Sequence, residues 1–136
     1  MIGLVVVAHA GLAEALVASL EHVVGPLKGI RAISIGPSDD LRKRQAEIDG
    51  AVAAVEQGGG VVVVTDMFGG TPSNLAHGAM TRQGVEVVYG ANLPLLVKLA
   101  KMRDKPLEIA VQAAIEAGRK YVNSANSILG VTAAAR

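Results

Sequence analysis

Residues 61–74 read VVVVTDMFGGTPSN, and this stretch indicates the fold of the whole chain. Four valines and a threonine in a row predict a short strand that is buried on both faces, as strands are in parallel sheets. A loop over residues 66–70 follows, and a helix is expected to begin near Thr71 and Pro72, because proline suits the first turn of a helix. A buried strand that leads through a short loop into a helix is typical of a βαβ unit.

The remainder of the chain repeats this alternation of strand and helix. Strands are predicted at residues 2–7, 30–35, 61–65 and 85–89, and helices at residues 12–24, 39–57, from 71, from 94 and 106–125. The tail after Ser127 is expected to add a short strand. The pattern predicts an α/β three-layer sandwich with a mostly parallel, doubly wound sheet in the common strand order 2-1-3-4. Because neither an internal repeat nor a linker is visible, residues 1–136 are expected to form a single domain.

The composition excludes several classes of function. The 136 residues contain no cysteine, so disulfides, zinc ribbons, iron–sulfur clusters and thiol catalysis are excluded. Thirteen Lys and Arg residues nearly balance twelve Asp and Glu residues, and the resulting net charge of +1 argues against nucleic-acid and membrane-surface binding. The three aromatic residues, Phe68, Tyr89 and Tyr121, are too few for a base-stacking platform.

The amino terminus imitates a secretion signal, since an apolar run at residues 2–7 precedes Ala8-His9-Ala10. The run is short, no basic residue precedes it, and a similar run recurs at residues 61–64, so we interpret it as a buried strand and expect a cytoplasmic protein. No stretch approaches the roughly 20 apolar residues of a membrane helix. The hydrophobic fraction of 51% indicates an apolar surface that an oligomer interface covers.

Two polar residues, His9 and Asp66, follow the first and third predicted strands. In a doubly wound sheet, ligands bind beyond the carboxyl ends of the strands at the point where the strand order reverses, which lies here between these two strands. A carboxylate that accepts the N–H of one imidazole nitrogen leaves the other nitrogen free as a base or nucleophile. No serine stands in a matching position to be activated, so His9 is itself the candidate nucleophile and Asp66 its orienting partner.

The loop after Asp66 indicates what His9 attacks. Gly69 and Gly70 allow backbone N–H groups to turn inward as an anion-binding nest. Thr71 is suited to cap the following helix, and Ser73 adds a hydroxyl. The N-terminus of a helix favours a phosphate or phosphoryl group, so these four residues are the candidate phosphoryl-binding residues.

Basic side chains are absent from the sequence around both candidate loops, because no Lys or Arg lies before residue 28 or between residues 45 and 81. Neutral donors would then stabilise the anion, which fits a single phosphoryl group better than a triphosphate. No Gly-x-x-x-x-Gly-Lys-Ser/Thr loop is present, which disfavours nucleotide kinase chemistry. A metal site from His9, Asp66 and His77 lacks the usual close ligand spacing, so no metal is expected there.

Each of these features also has an alternative role without chemistry. The alternative for His9 is a polar residue at a strand end that takes part in no chemistry. The alternative for Asp66 is a cap of the following turn. His22 and His77 are compatible with solvated positions on helix surfaces. The glycines at residues 58–60 precede a strand, so they indicate a tight helix-to-strand turn and not a phosphate loop.

Three segments of the chain match a known family. They are residues 2–11, which contain His9, residues 65–74 (TDMFGGTPSN) and residues 90–96 (GANLPLL). With these segments, the chain resembles the IIA component of the mannose-type bacterial phosphoenolpyruvate-dependent sugar phosphotransferase system (PTS), and the order of elements agrees along essentially the whole chain. The most specific signal is the Asp-x-Phe-Gly-Gly-Thr-Pro segment at residues 66–72.

The resemblance implies a phosphoryl relay that needs neither a metal nor an organic cofactor. In such proteins the histidine that matches His9 accepts a phosphoryl group from the phosphocarrier protein HPr and passes it onward. The aspartate that matches Asp66 orients that histidine, and the segment that matches residues 69–71 lies beside the phosphoryl group. The resemblance also implies a homodimer, whose mostly parallel sheet has an antiparallel edge strand from near the C-terminus.

The next phosphoryl acceptor is expected to lie outside this chain. Many members of the family carry a IIB domain behind a flexible linker, whereas this sequence ends at Arg136, soon after the last predicted helix. We therefore expect transfer in trans to a separate IIB component, which would link the protein to a membrane only indirectly, through a permease complex.

Two other functions stay open. One is a regulatory module, in which phosphorylation of His9 changes the protein that it binds, without onward transfer or sugar transport. The other is the phosphoryl-carrying subunit of a dihydroxyacetone kinase, whose first domain has a similar fold and histidine. In that subunit the histidine is typically followed by serine, whereas Ala10 and Gly11 follow His9 here.

Overall fold

The computed structural model describes residues 1–130, which fold as alternating strands and helices. The strands are β1 (Gly3–His9), β2 (Ile30–Ile35), β3 (Val61–Thr65) and β4 (Val85–Val88). The helices are α1 (Leu12–Val24), α2 (Leu41–Val55), α3 (Thr71–Gly78), α4 (Leu93–Lys101), α5 (Leu107–Lys120) and α6 (Ala125–Leu129), with one turn of 3-10 helix at Ala79–Thr81.

The four strands form one parallel sheet in the order β2-β1-β3-β4, so the predicted α/β class and strand order are confirmed. β1 and β3 are neighbours in the interior of the sheet, and their register places Val7 opposite Thr65. Residues 4–8 of β1 and 61–65 of β3 have no exposed surface. Both strands are uninterrupted apolar runs because each of their faces is covered.

Helices cover both faces of the sheet and make it the middle layer of three. α1, α4 and α5 pack on the face that carries Leu4 and Val6, whereas α2 and α3 pack on the face that carries Val5 and Val7. The two hydrophobic clusters are separate because alternate residues of a strand point to opposite faces. No helix within residues 1–130 combines the length and the apolar character that crossing a bilayer requires.

Two boundaries near the carboxyl end of the sheet differ from the predicted ones. β1 continues two residues beyond its predicted end, because His9 still pairs with Ile35 of β2. α2 begins at Leu41, two residues later than predicted, because the Asp40 carboxylate accepts hydrogen bonds from two N–H groups of the first turn and so caps the helix.

The carboxyl-terminal region differs more from the prediction. The last predicted helix, residues 106–125, ends at Lys120, and α6 begins after Ser124, whose hydroxyl accepts the Ser127 N–H at 3.1 Å and caps it. The short strand expected after Ser127 is wrong for residues 127–129, which are helical, and residues 131–136 lie outside the described part of the chain. The sheet formed by residues 1–130 contains no antiparallel edge strand.

The amino end of the sheet, opposite the end with His9, is held by one buried arginine. Arg103 donates from Nε to the Ile2 carbonyl at 2.7 Å, and from its two terminal nitrogens to the carbonyls of Lys28 at 2.7 Å and Gly29 at 3.1 Å. The guanidinium therefore joins the segments that precede β1 and β2 to the turn after α4. Its burial lowers the pKa of Arg103 from its ordinary value.

We expect Arg103→Met to lower the free energy of unfolding by about 2–3 kcal/mol, because methionine leaves the three carbonyls without this donor. Urea unfolding followed by circular dichroism measures the change. The exposed Arg82 provides the control, since Arg82→Met should alter the free energy by less than about 0.5 kcal/mol. A loss for Arg103→Met as small as that of the control would contradict the structural role of this side chain.

Candidate functional site

The fold brings His9 and Asp66 together, as the sequence predicts. His9 is the last residue of β1, and Asp66 is the first residue after β3. β1 and β3 run parallel and side by side, so both residues lie at the carboxyl edge of the sheet. The chain continues from β1 toward one edge of the sheet and from β3 toward the other, so the pair occupies the topological switch point, where doubly wound sheets bind ligands.

The Asp66 carboxylate is fixed by three hydrogen bonds. Its Oδ2 accepts from His9 Nδ1 at 2.7 Å and from the His9 backbone N–H at 3.0 Å, and its Oδ1 accepts the Met67 N–H at 3.0 Å. The Asp66 side chain is 13% exposed, whereas the His9 side chain is 44% exposed. The carboxylate is therefore held inside the protein while the imidazole reaches solvent.

These contacts keep Asp66 ionised. Burial by itself would raise the pKa of the carboxyl, but hydrogen bonds from the His9 backbone and side chain, the charge of His9 and the Met67 N–H together lower the pKa below its ordinary value of 3.8. An ionised carboxylate only accepts hydrogen bonds, so the proton in the 2.7 Å contact belongs to His9 Nδ1. In the neutral ring, Nε2 then carries the lone pair.

The Cε1–Nε2 edge of the His9 ring lies against Gly70. A Cβ atom placed on Gly70 would lie 2.9 Å from His9 Cε1 and 3.3 Å from Nε2, so a side chain at this position would press on that edge of the ring. His9 Nε2 makes no hydrogen bond to any residue of the described chain. The ring thus presents a free nitrogen beside a stretch of bare backbone.

That backbone begins α3 and supplies unused donors. Gly70 occupies the N-cap position of α3 without a side-chain cap, and the N–H groups of Gly70 and Thr71 have no acceptor within residues 1–130. Thr71 and His9 line one cleft of about 370 Å³, together with Gly36, Pro37 and Asp39 from the segment after β2. Free N–H groups at a helix N-terminus favour an anion in this cleft.

Gly69 and Ser73, two of the residues that the sequence predicts to contact a phosphoryl group, are bonded to each other within the loop. The Gly69 N–H donates to Ser73 Oγ at 3.0 Å, and that hydroxyl donates to the Gly70 carbonyl at 2.9 Å. Ser73 is completely buried. Because the N–H of one and the hydroxyl of the other are already bonded within the loop, these two residues fix its shape and leave Gly70 and Thr71 beside His9.

Ala10 is a feature of the site that sequence reasoning missed. Its φ of 52° lies in the left-handed region, which costs a residue with a side chain about 1–2 kcal/mol. The Ala10 N–H donates to the Ile35 carbonyl at 3.0 Å, which holds the sharp turn directly after His9. Such strain is concentrated at functional sites, but an alanine carries no sequence signal for it.

The structure also gives the positions of the other two histidines and of the glycines at residues 58–60. His77 lies on α3 and its Nε2 is 2.6 Å from the hydroxyl oxygen of Tyr89, while His22 is exposed on α1. Within residues 1–130, no group of three or more His, Cys, Asp or Glu side chains is arranged to hold a metal ion. Residues 58–60 connect α2 to β3 at the amino end of the sheet, which is the helix-to-strand turn that the sequence predicts.

A family model matches most of the chain. The family described as PTS system fructose IIA component matches residues 3–117. The chain is 27% identical over 126 residues to the PTS system mannose-specific EIIAB component of Escherichia coli K12, and the alignment covers 90% of this chain but 39% of that protein. It is also 25% identical over 105 residues to the PTS system fructose-specific EIIA component of Bacillus subtilis, covering 76% of this chain and 72% of that protein.

Solved structures show the same architecture. The mannose/sorbose-specific IIA subunit of the phosphotransferase system from Enterococcus faecalis superposes with a TM-score of 0.81 at 27% identity, covering 90% of this chain and 92% of that one. The phosphotransferase system component EIIA from Streptococcus agalactiae superposes with a TM-score of 0.84 at 20% identity, covering 93% of this chain and 99% of that one. The fold is therefore shared over nearly the full length of these proteins.

The low pKa of Asp66 makes the site sensitive to acid. A carboxyl whose pKa is lower in the folded than in the unfolded state stabilises the fold fully above the unfolded value, and this contribution is lost as the pH falls through the folded value. We expect carboxyl-carbon NMR titration to give Asp66 a pKa below 3.8, and His9→Ala to raise that pKa. An unchanged Asp66 pKa in His9→Ala would contradict the pairing.

Proposed function

The chain belongs to the PTS system fructose IIA component family, and we propose that it is a phosphoryl-relay protein in which His9 accepts a phosphoryl group from phospho-HPr and passes it onward. The observation that carries this proposal is the 2.7 Å bond between His9 Nδ1 and Asp66 Oδ2, which leaves Nε2 as the free nucleophile beside the α3 amides. The chemistry is a phosphotransfer through a phosphohistidine, and residues 1–136 act as a single IIA domain.

The transfer step follows from this geometry. The Nε2 lone pair of His9 forms a bond to phosphorus while the bond from phosphorus to the donor's histidine nitrogen breaks, and that electron pair stays with the donor. The Nδ1 proton remains on His9, because Asp66 is ionised and stabilises the positive charge that the ring gains. Transfer onward reverses these steps, so no other acid or base is needed.

The phosphoryl oxygens are stabilised by neutral donors in this proposal. Thr71 lines the same cleft as His9, and Gly70 precedes it at the N-cap of α3. We propose that the N–H groups of these two residues and the Thr71 hydroxyl bind the phosphoryl oxygens, where the α3 dipole favours negative charge. Gly69 and Ser73 support these donors by fixing the loop. Phosphoryl transfer depends mostly on alignment and charge stabilisation, so a site without Lys or Arg suffices.

We propose that the onward acceptor is a separate IIB component and that transfer takes place in the cytoplasm. The chain spans 39% of the length of its E. coli relative, whose name combines IIA and IIB. A permease complex would supply the indirect contact with the membrane. A regulatory target in place of IIB is the alternative. Discharge of the phosphorylated chain by added IIB separates the two.

We propose that the protein is a homodimer. β4 is an edge strand in residues 1–130, and a cleft of about 680 Å³ between β4 and α5 runs beside residues 87–90. An uncovered strand edge is a template for pairing with another chain. The family's antiparallel edge strand from near the C-terminus would cover this edge.

His9→Ala is expected to abolish phosphorylation, because alanine has no nucleophile. Asp66→Asn should slow it by roughly 10²–10⁴-fold, since the amide neither fixes the His9 tautomer nor stabilises the charged ring. Incubation with labelled phosphoenolpyruvate, enzyme I and HPr, followed by peptide mapping of the acid-labile label, measures both effects.

His22→Ala is the matched control for this experiment, because His22 is exposed on α1. It should leave labelling unchanged. Label on His22 or His77, or none on the wild-type chain, would overturn the assignment of His9. Added IIB should discharge the phosphorylated chain, whereas a label that persists with every IIB tested favours the regulatory alternative.

Gly70→Ala tests the bare backbone beside Nε2. Its φ of −89° suits alanine, so the fold should persist, while the new Cβ would displace the His9 ring. We expect the transfer rate to fall by about 10²-fold, the usual cost of a misplacement near 1 Å. Gly11→Ala is the control, because a Cβ there meets nothing within 4 Å; equal rates in the two variants would contradict this contact.

A further inference from the structure

Three rings form a cluster next to the candidate site. The chain contains one Phe, two Tyr and no Trp, and two of these three residues, Phe68 and Tyr89, meet at this point with His77. The centroids of Phe68 and Tyr89 lie 5.0 Å apart with the rings edge to face. His77 lies edge to face with Tyr89, at 5.7 Å, and 6.4 Å from Phe68. These are attractive aromatic geometries.

The cluster joins three elements of the fold. Phe68 is in the loop between Asp66 and α3, His77 is in the last turn of α3, and Tyr89 directly follows β4. His77 Nε2 and the Tyr89 hydroxyl lie 2.6 Å apart, a hydrogen-bond distance that fixes these two rings to each other. Phe68 then has a defined surface to pack on, although it is itself 72% exposed.

The loop that Phe68 anchors has few other constraints at its tip. Its backbone contacts are the Met67 N–H to Asp66 Oδ1 and the Gly69 N–H to Ser73 Oγ; the N–H of Phe68 itself makes no hydrogen bond within residues 1–130. Gly69, with φ of 92°, gives the backbone freedom directly after Phe68. Packing of the Phe68 ring therefore adds a restraint at the tip of the loop, between the bonded N–H groups of Met67 and Gly69.

We propose that His77 and Tyr89 are positioning residues for phosphoryl transfer, acting through Phe68 to hold the loop that carries Asp66 and Gly70 against His9. This inference rests on the proposed function. The two residues touch neither the reacting nitrogen nor the anion cleft. They act on the reaction by keeping the carboxylate on His9 Nδ1 and the α3 amides beside Nε2.

Tyr89→Phe tests this proposal with the least change, because it removes the hydroxyl and keeps the ring. We expect kcat for phosphorylation by phospho-HPr to fall about 3–10-fold with KM unchanged, the range that corresponds to loss of one hydrogen bond. His77→Leu should have the same effect, whereas His77→Gln, which keeps a nitrogen near the position of Nε2, should retain most of the wild-type kcat.

A second measurement does not depend on transfer. The ¹⁵N chemical shifts of the His9 ring distinguish the tautomer with the proton on Nδ1 from the other one. Tyr89→Phe and His77→Leu should move these shifts toward a mixture of tautomers, because Asp66 is held less firmly. Tyr121→Phe is the matched control. Tyr121 is 66% exposed, and its ring centroid lies 5.6 Å from Lys120 Nζ. This substitution should change neither kcat nor the His9 shifts.

The outcomes separate the possible roles. A rise in KM with unchanged kcat would overturn the proposal and make the cluster a contact surface for the donor protein. Unchanged His9 shifts in Tyr89→Phe and His77→Leu would also overturn it, whatever happens to kcat. If phospho-HPr does not phosphorylate the wild-type chain, the proposed function fails, while the His9 shifts still decide whether the cluster positions the loop.

Discussion

The hydrogen bond between His9 Nδ1 and Asp66 Oδ2 is the interaction on which the site depends. It joins residues 57 positions apart in the chain, and it forms because β1 and β3 are parallel neighbours whose carboxyl ends coincide. The bond selects one tautomer of the imidazole and aims the other nitrogen at the start of α3. The sheet order is therefore what brings two separate polar residues together as an oriented imidazole, the proposed nucleophile.

In the proposed relay, the anion side of the site is built from backbone, which suits a group that is to be accepted and then released. N–H groups of Gly70 and Thr71 and the α3 dipole stabilise negative charge without an ion pair. A lysine or arginine in their place would hold a phosphoryl group more strongly. In the proposed relay, moderate stabilisation and accurate alignment matter more than tight binding, because the phosphoryl group has to leave again.

The fold class, the strand order and the pairing of His9 with Asp66 were predictable because the sequence signals on which they rest are local. The valine runs of β1 and β3 reveal buried parallel strands, and Gly70 with Thr71 before a proline marks a helix start after a loop. The switch-point rule then pairs His9 with Asp66. The break between α5 and α6 was not predicted, because a cap at Ser124 competes there with helix propensity that continues through the preceding residues.

The sequence by itself determined the strands and helices as far as α5, their parallel arrangement and the identity of the histidine and aspartate, because residue spacing and turn chemistry act over a few positions. Only the tertiary structure decided the close approach of Gly70 to the imidazole, the left-handed φ of Ala10 and the contact of His77 with Tyr89. Those features depend on how distant segments pack against each other, and no local pattern records the distance between two side chains that the fold brings together.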